Sequence, residues 1–222
     1  MKVQPSPALE ARSLYRFYRA GDEETLALQG VSLTVQGGEF VAVTGPSGSG
    51  KSTLLACLAG MDNPDGGSVR IAGQRISHRP ETERARIRAR HIGMLFQNAN
   101  LFEHLTVAQN LSLVRYLPQR AAIGRPDVLT LLGLSERAAA YPSRLSGGEL
   151  ARAGLAMALA NAPAALLADE PTGELDSVTE SQVLDLLVDA AGRGTAILVA
   201  SHSPAVAAAA ARVVRLDDGR VL

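Results

Sequence analysis

Hydrophobic residues along this chain follow two different periods, and their alternation predicts a fold. Short runs of strand character lie at 30–35 (GVSLTV), 39–45 (EFVAVTG), 68–73 (SVRIAG), 91–96 (HIGMLF), 164–170 (AALLADE) and 195–201 (TAILVAS). The last two are apolar almost throughout, the pattern of strands covered on both faces in a parallel sheet. RVVRLDDGRVL, at 212–222, reads as a closing hairpin turned at Asp218-Gly219. The second strand runs into a glycine-rich loop, the KSTLLACLAG that follows has helical character, and from about 98 to 160 the helical period takes over in LTVAQNLSLV, RPDVLTLLGL and GGELARAGLAMALA. The expected fold is α/β: a mostly parallel core sheet with an antiparallel β element and a small helical lobe. All of it forms one domain over 1–222, with the core at about 1–97 and 161–222 and the lobe at about 98–160.

Composition narrows the choice of partners. The 222 residues are enough to bury a core without disulfides or metals, and the single Cys57, inside TLLACLAG, reads as a buried small hydrophobe suited to a reducing compartment. Twenty-two basic residues balance twenty-two acidic ones, so no global field draws the chain to nucleic acid or anionic lipid. The first residues lack the apolar core of a secretory signal. The most apolar later window, from Ala153, is short and is interrupted by Asn161 and Pro163. Any membrane connection is therefore expected to come through another polypeptide.

GPSGSGKST, Gly45 to Thr53, joins a predicted strand to a predicted helix and fits a phosphate-binding loop. Its glycines let successive backbone N–H groups face an anion, and the helix start adds its partial positive charge. Lys51 is placed to reach the β- and γ-phosphates, Ser52 to give a hydroxyl to Mg²⁺, and Thr53 to meet the α-phosphate. AALLADEP then delivers two carboxylates at a strand's C-terminal end, where parallel sheets bind ligands. Asp169 suits Mg²⁺, and Glu170 suits a general base that orients the attacking water. His202, ending another buried run, is placed to hydrogen-bond the γ-phosphate, and the Gln97 amide to ligate Mg²⁺ or report on that phosphate. LSGGE, from Leu145 to Glu149, offers a second anion site without a lysine, in which Ser146 caps a helix and Gly147 and Gly148 expose N–H groups.

Taken in order, these segments with LLADEP and GELDS resemble the ATP-binding cassette family over about Leu14 to Leu222. The resemblance implies the phosphate-loop NTPase fold, ATP and Mg²⁺ as ligands, and ATP hydrolysis. The ATP-binding set is then Tyr18, stacking on adenine, with Gly45, Pro46, Ser47, Gly48, Ser49, Gly50, Lys51, Ser52 and Thr53; a strand tyrosine packed in its sheet is the alternative for Tyr18. The resemblance further implies a head-to-tail dimer of like or related cassettes. In it the Leu145–Glu149 signature of one chain completes the site of the other, and Asp176 crosses between them. YRAG, HIGMLFQNANLFEHLTVAQNL and DDGRVL are similar to the lipoprotein-release and macrolide-export branch, the LolD, MacB and FtsE type. That branch implies a separate four-helix permease with a large external domain and a place on the cytoplasmic side of the cell membrane. The function implied is export or extraction of lipids, lipoproteins, peptides or hydrophobic drugs, or alternatively force transmission without a transported solute.

Four positions depart from the family pattern. Leu150 stands where Gln is usual, Met157 where Arg is common, Ser203 where Asp often follows the histidine, and Glu174 where Asn or Ala is common. None removes a phosphate, metal or base group. ERARIRARHIG carries Arg84, Arg86, Arg88 and Arg90, which suit a solvated helix face or a basic surface for an acidic coupling element. Nucleic acid is not an expected partner, because the fifty or so residues between Gln97 and Leu145 leave no room for a long coiled coil.

Overall fold

A computed structural model describes residues 6–20, 23–96, 100–115 and 127–222. Two sheets share the chain. The strands β1 (Leu9–Ala20), β2 (Glu23–Val35), β4 (Gly66–Ile71) and β5 (Gln74–Arg75) form an antiparallel sheet in the order β2-β1-β4-β5. The second sheet runs β10-β9-β3-β8-β7-β6, built from β3 (Phe40–Thr44), β6 (Ile92–Leu95), β7 (Ala165–Asp169), β8 (Ala196–Ala200), β9 (Arg212–Asp217) and β10 (Arg220–Val221). Its pairings are parallel except for the β9–β10 hairpin, which turns at Asp218-Gly219 as the sequence predicts.

The apolar runs earn their central place by burial. Every residue of β8 is buried, as are all but the last of β3 and β7, so only side chains without polar atoms fit there. Register sets Val43, Ala200 and Asp169 side by side across β3, β8 and β7, so the segments that follow these strands leave the sheet at one level. Helix α1 (Lys51–Leu58) follows β3 and packs between the two sheets, with Leu54, Leu58 and Cys57 fully buried. Burial pushes the Cys57 thiol up to about 12, which leaves it protonated and inert at neutral pH.

Helix α2 (Glu81–His91) buries none of its residues. Its arginine run divides by helical spacing. Arg84 and Arg88 both donate to the Gly60 carbonyl, at 3.1 and 3.0 Å, and both pair with Glu81, whereas Arg86 and Arg90 are exposed. Half of the run thus clamps α2 to the end of α1.

Helices α3 (Val107–Arg115), α4 (Val128–Leu131) and α5 (Gly147–Leu159) lie between β6 and β7 in the chain; α6 (Ser177–Gly192) and α7 (Pro204–Ala209) follow β7 and β8. One hydrophobic cluster joins α3–α7 to the face of the parallel sheet that carries Leu166, Ile197 and Val199. The other joins the antiparallel sheet, α1 and the opposite face through Val41, Leu167 and Leu198. Where α5 crosses β6, Gly93 lies so near the Ala158 carbonyl that a Cβ would overlap it. Gly93→Ala is therefore expected to cost about 1–3 kcal/mol of folding stability, read from a urea midpoint, with nucleotide affinity unchanged in the folded protein.

Candidate active site

The loop between β3 and α1 holds a shape that its sequence makes possible. Gly50, the N-cap residue of α1, has φ 99°, and a Cβ there would run into the Ala27 carbonyl of β2. The loop is held from behind by the far end of the chain. Gly219 N–H donates to the Ser49 carbonyl at 3.0 Å, and Gln29 N–H donates to the Gly219 carbonyl at 2.8 Å. Gly45, Pro46 and Ser49 belong to this scaffold. They do not line the cavity in front of it, and Ser49 is 2% exposed.

That cavity has a volume of about 890 Å³. Ser47, Gly48, Gly50, Lys51, Ser52 and Thr53 form one wall, and Asp169, Glu170 and His202 reach it from the ends of β7 and β8. Tyr18 and Thr25–Ala27 flank it on the antiparallel sheet. Tyr18 is 40% exposed, its hydroxyl donates to Asp62 at 2.9 Å, and the Arg16 guanidinium lies 4.6 Å from its ring centre. The ring is thus anchored at its edge and covered on one face by a cation.

Lys51 carries the strongest electrostatic signal. It is only 8% exposed, and its ammonium donates to the Gly45 and Pro46 carbonyls at 2.8 and 3.0 Å. Among the described residues no carboxylate pairs with it. A buried cation without a counter-charge favours an anionic ligand. The start of α1 is compatible with such a ligand: no side chain caps it, as none caps α2, and its first residues Lys51, Ser52 and Thr53 line the cavity.

His202 and Glu170 complete the centre. His202 Nε2 lies 3.3 Å from Lys51 Nζ and 3.6 Å from Glu170 Oε1. An ammonium only donates, so the first contact is a hydrogen bond when the imidazole is neutral with its proton on Nδ1. Glu170 sits at φ 46°, a conformation that costs a non-glycine residue about 1–3 kcal/mol and is common at functional sites. It is held there by its N–H donating to the Ala200 carbonyl, by Ser201 Oγ donating to Oε2 at 2.9 Å, and by His202 N–H donating to Oε1 at 3.1 Å. Asp169 and the Ser52 hydroxyl line the same cavity, and such hard oxygen donors suit Mg²⁺, which is held by few protein ligands together with phosphate oxygens and water.

The LSGGE segment lies outside this cavity. Ser146 caps α5 as expected, accepting from Glu149 N–H at 3.2 Å, while Glu149 accepts from Ser146 N–H at 2.9 Å and pairs with Arg137 at 2.7 Å. The Ser146 N–H and the Arg137 guanidinium hold the Glu149 carboxyl below its usual range, so Glu149 is occupied within its own chain. Asp176 is similarly engaged: its carboxylate caps α6, accepting from Thr179 Oγ1 at 2.6 Å and from the N–H groups of Val178 and Thr179 at 3.0 Å. Those bonds, the Thr179 hydroxyl foremost, hold its carboxyl low. Gly148 packs against Thr179, which sets the two helix starts side by side. Gln97 lies outside the described residues.

Sequence reasoning missed three polar residues here, Ser201, Thr172 and Glu180, and noted a fourth, Ser203, only as a departure from the family pattern. Ser201 and Thr172 are buried beside Glu170, and Glu180 and Ser203 line the cavity behind His202. Helical spacing was the available signal for Glu180, one turn after Asp176.

Comparison with known proteins agrees with this geometry. Residues 28–173 match the profile of the family described as ABC transporter. The chain is 39% identical over 221 residues to the macrolide export ATP-binding/permease protein MacB of Shigella flexneri, and 38% identical to that of Escherichia coli K12. In both cases 98% of this chain is covered but 34% of the relative, so the chain spans about a third of the length of the curated relatives it matches. Among solved structures it is similar to the dimeric bacterial ABC transporter cassette MJ0796, with TM-score 0.86, 36% identity and 96% of each chain covered. A post-hydrolysis dimer of the same cassette, bound to ADP and Pi, gives TM-score 0.87 at 35% identity, again with 96% of each chain covered. With a phosphate-type loop facing carboxylates and histidine across one cavity, and with this likeness over nearly its whole length, the chain belongs to the ABC transporter family as an ATP-binding cassette.

Proposed function

We propose that this cassette hydrolyses ATP and drives a membrane permease in the export or extraction of lipids, lipoproteins, peptides or hydrophobic drugs. The observation that carries the reading is the Lys51 ammonium, uncountered by any carboxylate among the described residues, within 3.3 Å of His202 and across one cavity from Glu170. Lys51 and the α1 N–H groups bind the phosphates, Tyr18 supports the adenine, and Ser52 with Asp169 would hold Mg²⁺. An ion held there would offset charge on the transferred phosphoryl group. Glu170, fixed by Ser201 and His202 N–H, orients the attacking water and accepts its proton, while His202 hydrogen-bonds the γ-phosphate.

A second copy, or a related cassette, supplies Ser146 and Gly148 at the start of its α5 to the far side of the phosphates. The dimeric MJ0796 cassette supports this arrangement, and so does the position of LSGGE outside the cavity of its own chain. A permease partner is supported by the MacB relatives, whose name joins ATP-binding to permease in macrolide export; four membrane helices, a large external domain and a peripheral cytoplasmic-side position are part of this proposal. Among the described residues no helix is long and apolar enough to cross a membrane.

Purified chain is expected to release phosphate from ATP in a Mg²⁺-dependent reaction whose rate per chain rises with chain concentration. A rate independent of concentration removes the two-chain site, and absence of ATP binding removes the ATPase reading. Capture of the Glu170→Gln form from native membranes in ATP, with mass spectrometry of its companions, tests the remainder. A four-helix permease with an external domain is the expected companion, and a many-helix importer overturns the branch.

A further inference from the structure

Behind His202 a single carboxylate oxygen joins three segments. Glu180, in the first turn of α6, accepts from Thr172 Oγ1 at 2.8 Å and from Ser203 Oγ at 2.7 Å, both at Oε1. Thr172 lies two residues past Glu170, Ser203 one past His202, and α6 is the helix that Asp176 begins. Ser203 is doubly committed, since its Oγ also accepts from Ala205 N–H at 3.1 Å to start α7. Its own N–H donates to Ser201 Oγ at 3.0 Å, and that hydroxyl donates to Glu170 Oε2. A continuous polar path therefore runs from Glu180 through Ser203 and Ser201 to the Glu170 carboxylate, with Thr172 bolting the β7 end to the same point.

We propose that Glu180 is a positioning residue for hydrolysis, fixing the strand ends that bear Glu170 and His202 to the helix begun by Asp176. This rests on the ATPase reading above. The chemistry of position 203 fits it. The family resemblance leads one to expect an aspartate there, and a carboxylate at 2.7 Å from Glu180 would be repelled, whereas the serine hydroxyl donates. Glu180 and Ser203 thus form a matched acid and hydroxyl. Because α6 starts beside Gly148 at the head of α5, a movement of either helix start on dimer closure is passed to the base and the histidine. Thr172 and Ser201 are buried, so their hydroxyls have no water to turn to and hold to their protein partners through such a shift.

The test uses the full chain with Glu180→Ala, Glu180→Gln, Ser203→Ala and the Glu180→Ala/Ser203→Ala double variant. Glu180→Ala is expected to lower kcat roughly tenfold with nucleotide Kd within about twofold, because misplaced groups affect the reaction more than ground-state binding. Glu180→Gln keeps an acceptor oxygen for both hydroxyls and should stay within about threefold of wild type in kcat. The double variant should lose less than the product of the two single losses, since both remove one path, even though Ser203→Ala also uncaps α7. Hydrogen exchange without nucleotide should quicken over residues 201–207 in Glu180→Ala. A kcat for Glu180→Ala within about twofold of wild type, multiplicative losses in the double variant, unchanged exchange, or a loss of nucleotide affinity in place of rate each overturns the assignment. If wild type itself neither binds nor hydrolyses ATP, the ATPase reading fails, and the exchange comparison still decides whether Glu180 locks the three segments.

Discussion

Replacing Glu170 with glutamine is expected to leave ATP bound and almost to stop its hydrolysis, with a loss of roughly 10²–10⁴-fold, the usual worth of a positioned general base. The substitution suits the question because the surroundings tolerate an amide. One glutamine oxygen still accepts from His202 N–H, and Ser201 Oγ, which now donates to Oε2 at 2.9 Å, can turn to accept from the new NH₂. The left-handed backbone at residue 170 and its bond to the Ala200 carbonyl do not involve the side chain, so the loop should keep its shape. Phosphate release at saturating Mg²⁺ and ATP measures the loss. Sedimentation in ATP should show the variant held as a dimer. Hydrolysis near the wild-type rate would remove Glu170 from the base role and turn attention to His202.

Lys51→Ala should fail one step earlier. Removing the charged partner of a largely buried phosphate contact costs about 2–5 kcal/mol, or roughly thirty- to several-thousand-fold in Kd. Titration with a fluorescent ATP analogue at fixed Mg²⁺ reads this directly. The two variants separate cleanly: one binds and hardly turns over, the other binds weakly. Unchanged affinity in Lys51→Ala would mean that the α1 N–H groups and the Tyr18 platform anchor the nucleotide without the lysine.

The parts of this molecule that were legible in the sequence are those whose partners are close along the chain. A phosphate loop is contiguous, as are a strand ending in Asp-Glu and a serine capping its own helix, so Lys51, Asp169, Glu170 and Ser146 stand out before any fold is known. β1 does not, because its alternation is broken. Leu9, Ala11 and Leu14 are all buried, and the register shifts between Ala11 and Leu14, where Ser13 takes a positive φ of 48°. A strand search with a strict period of two loses the pattern at that bulge. RPDVLTLLGL gives a helix of only four described residues, Val128–Leu131, since the chain turns at Gly133 with φ 65°. Arg84 and Arg88 looked like a solvated face, and only the proximity of the Gly60 carbonyl shows them as clamps. Ser201, Thr172 and Glu180 stayed hidden for a related reason: their value lies in strand order, with β7 beside β8 and α6 folded back over β8 and β3.

The seating of the Asp218-Gly219 turn against Ser49 also bears on how the protein is made. Gln29 donates to the Asp218 carbonyl across 189 residues of chain, and Gly219 closes the back of a loop encoded in the first quarter of the sequence. A growing polypeptide that has already exposed Lys51 lacks this back wall until about 170 more residues are added, some ten to thirty seconds at ordinary rates of translation. During that interval the ribosome carries the complete phosphate-loop sequence without a complete phosphate loop. The anion site is thus expected to be complete only once residues 218 and 219 have been added, well after the loop sequence itself.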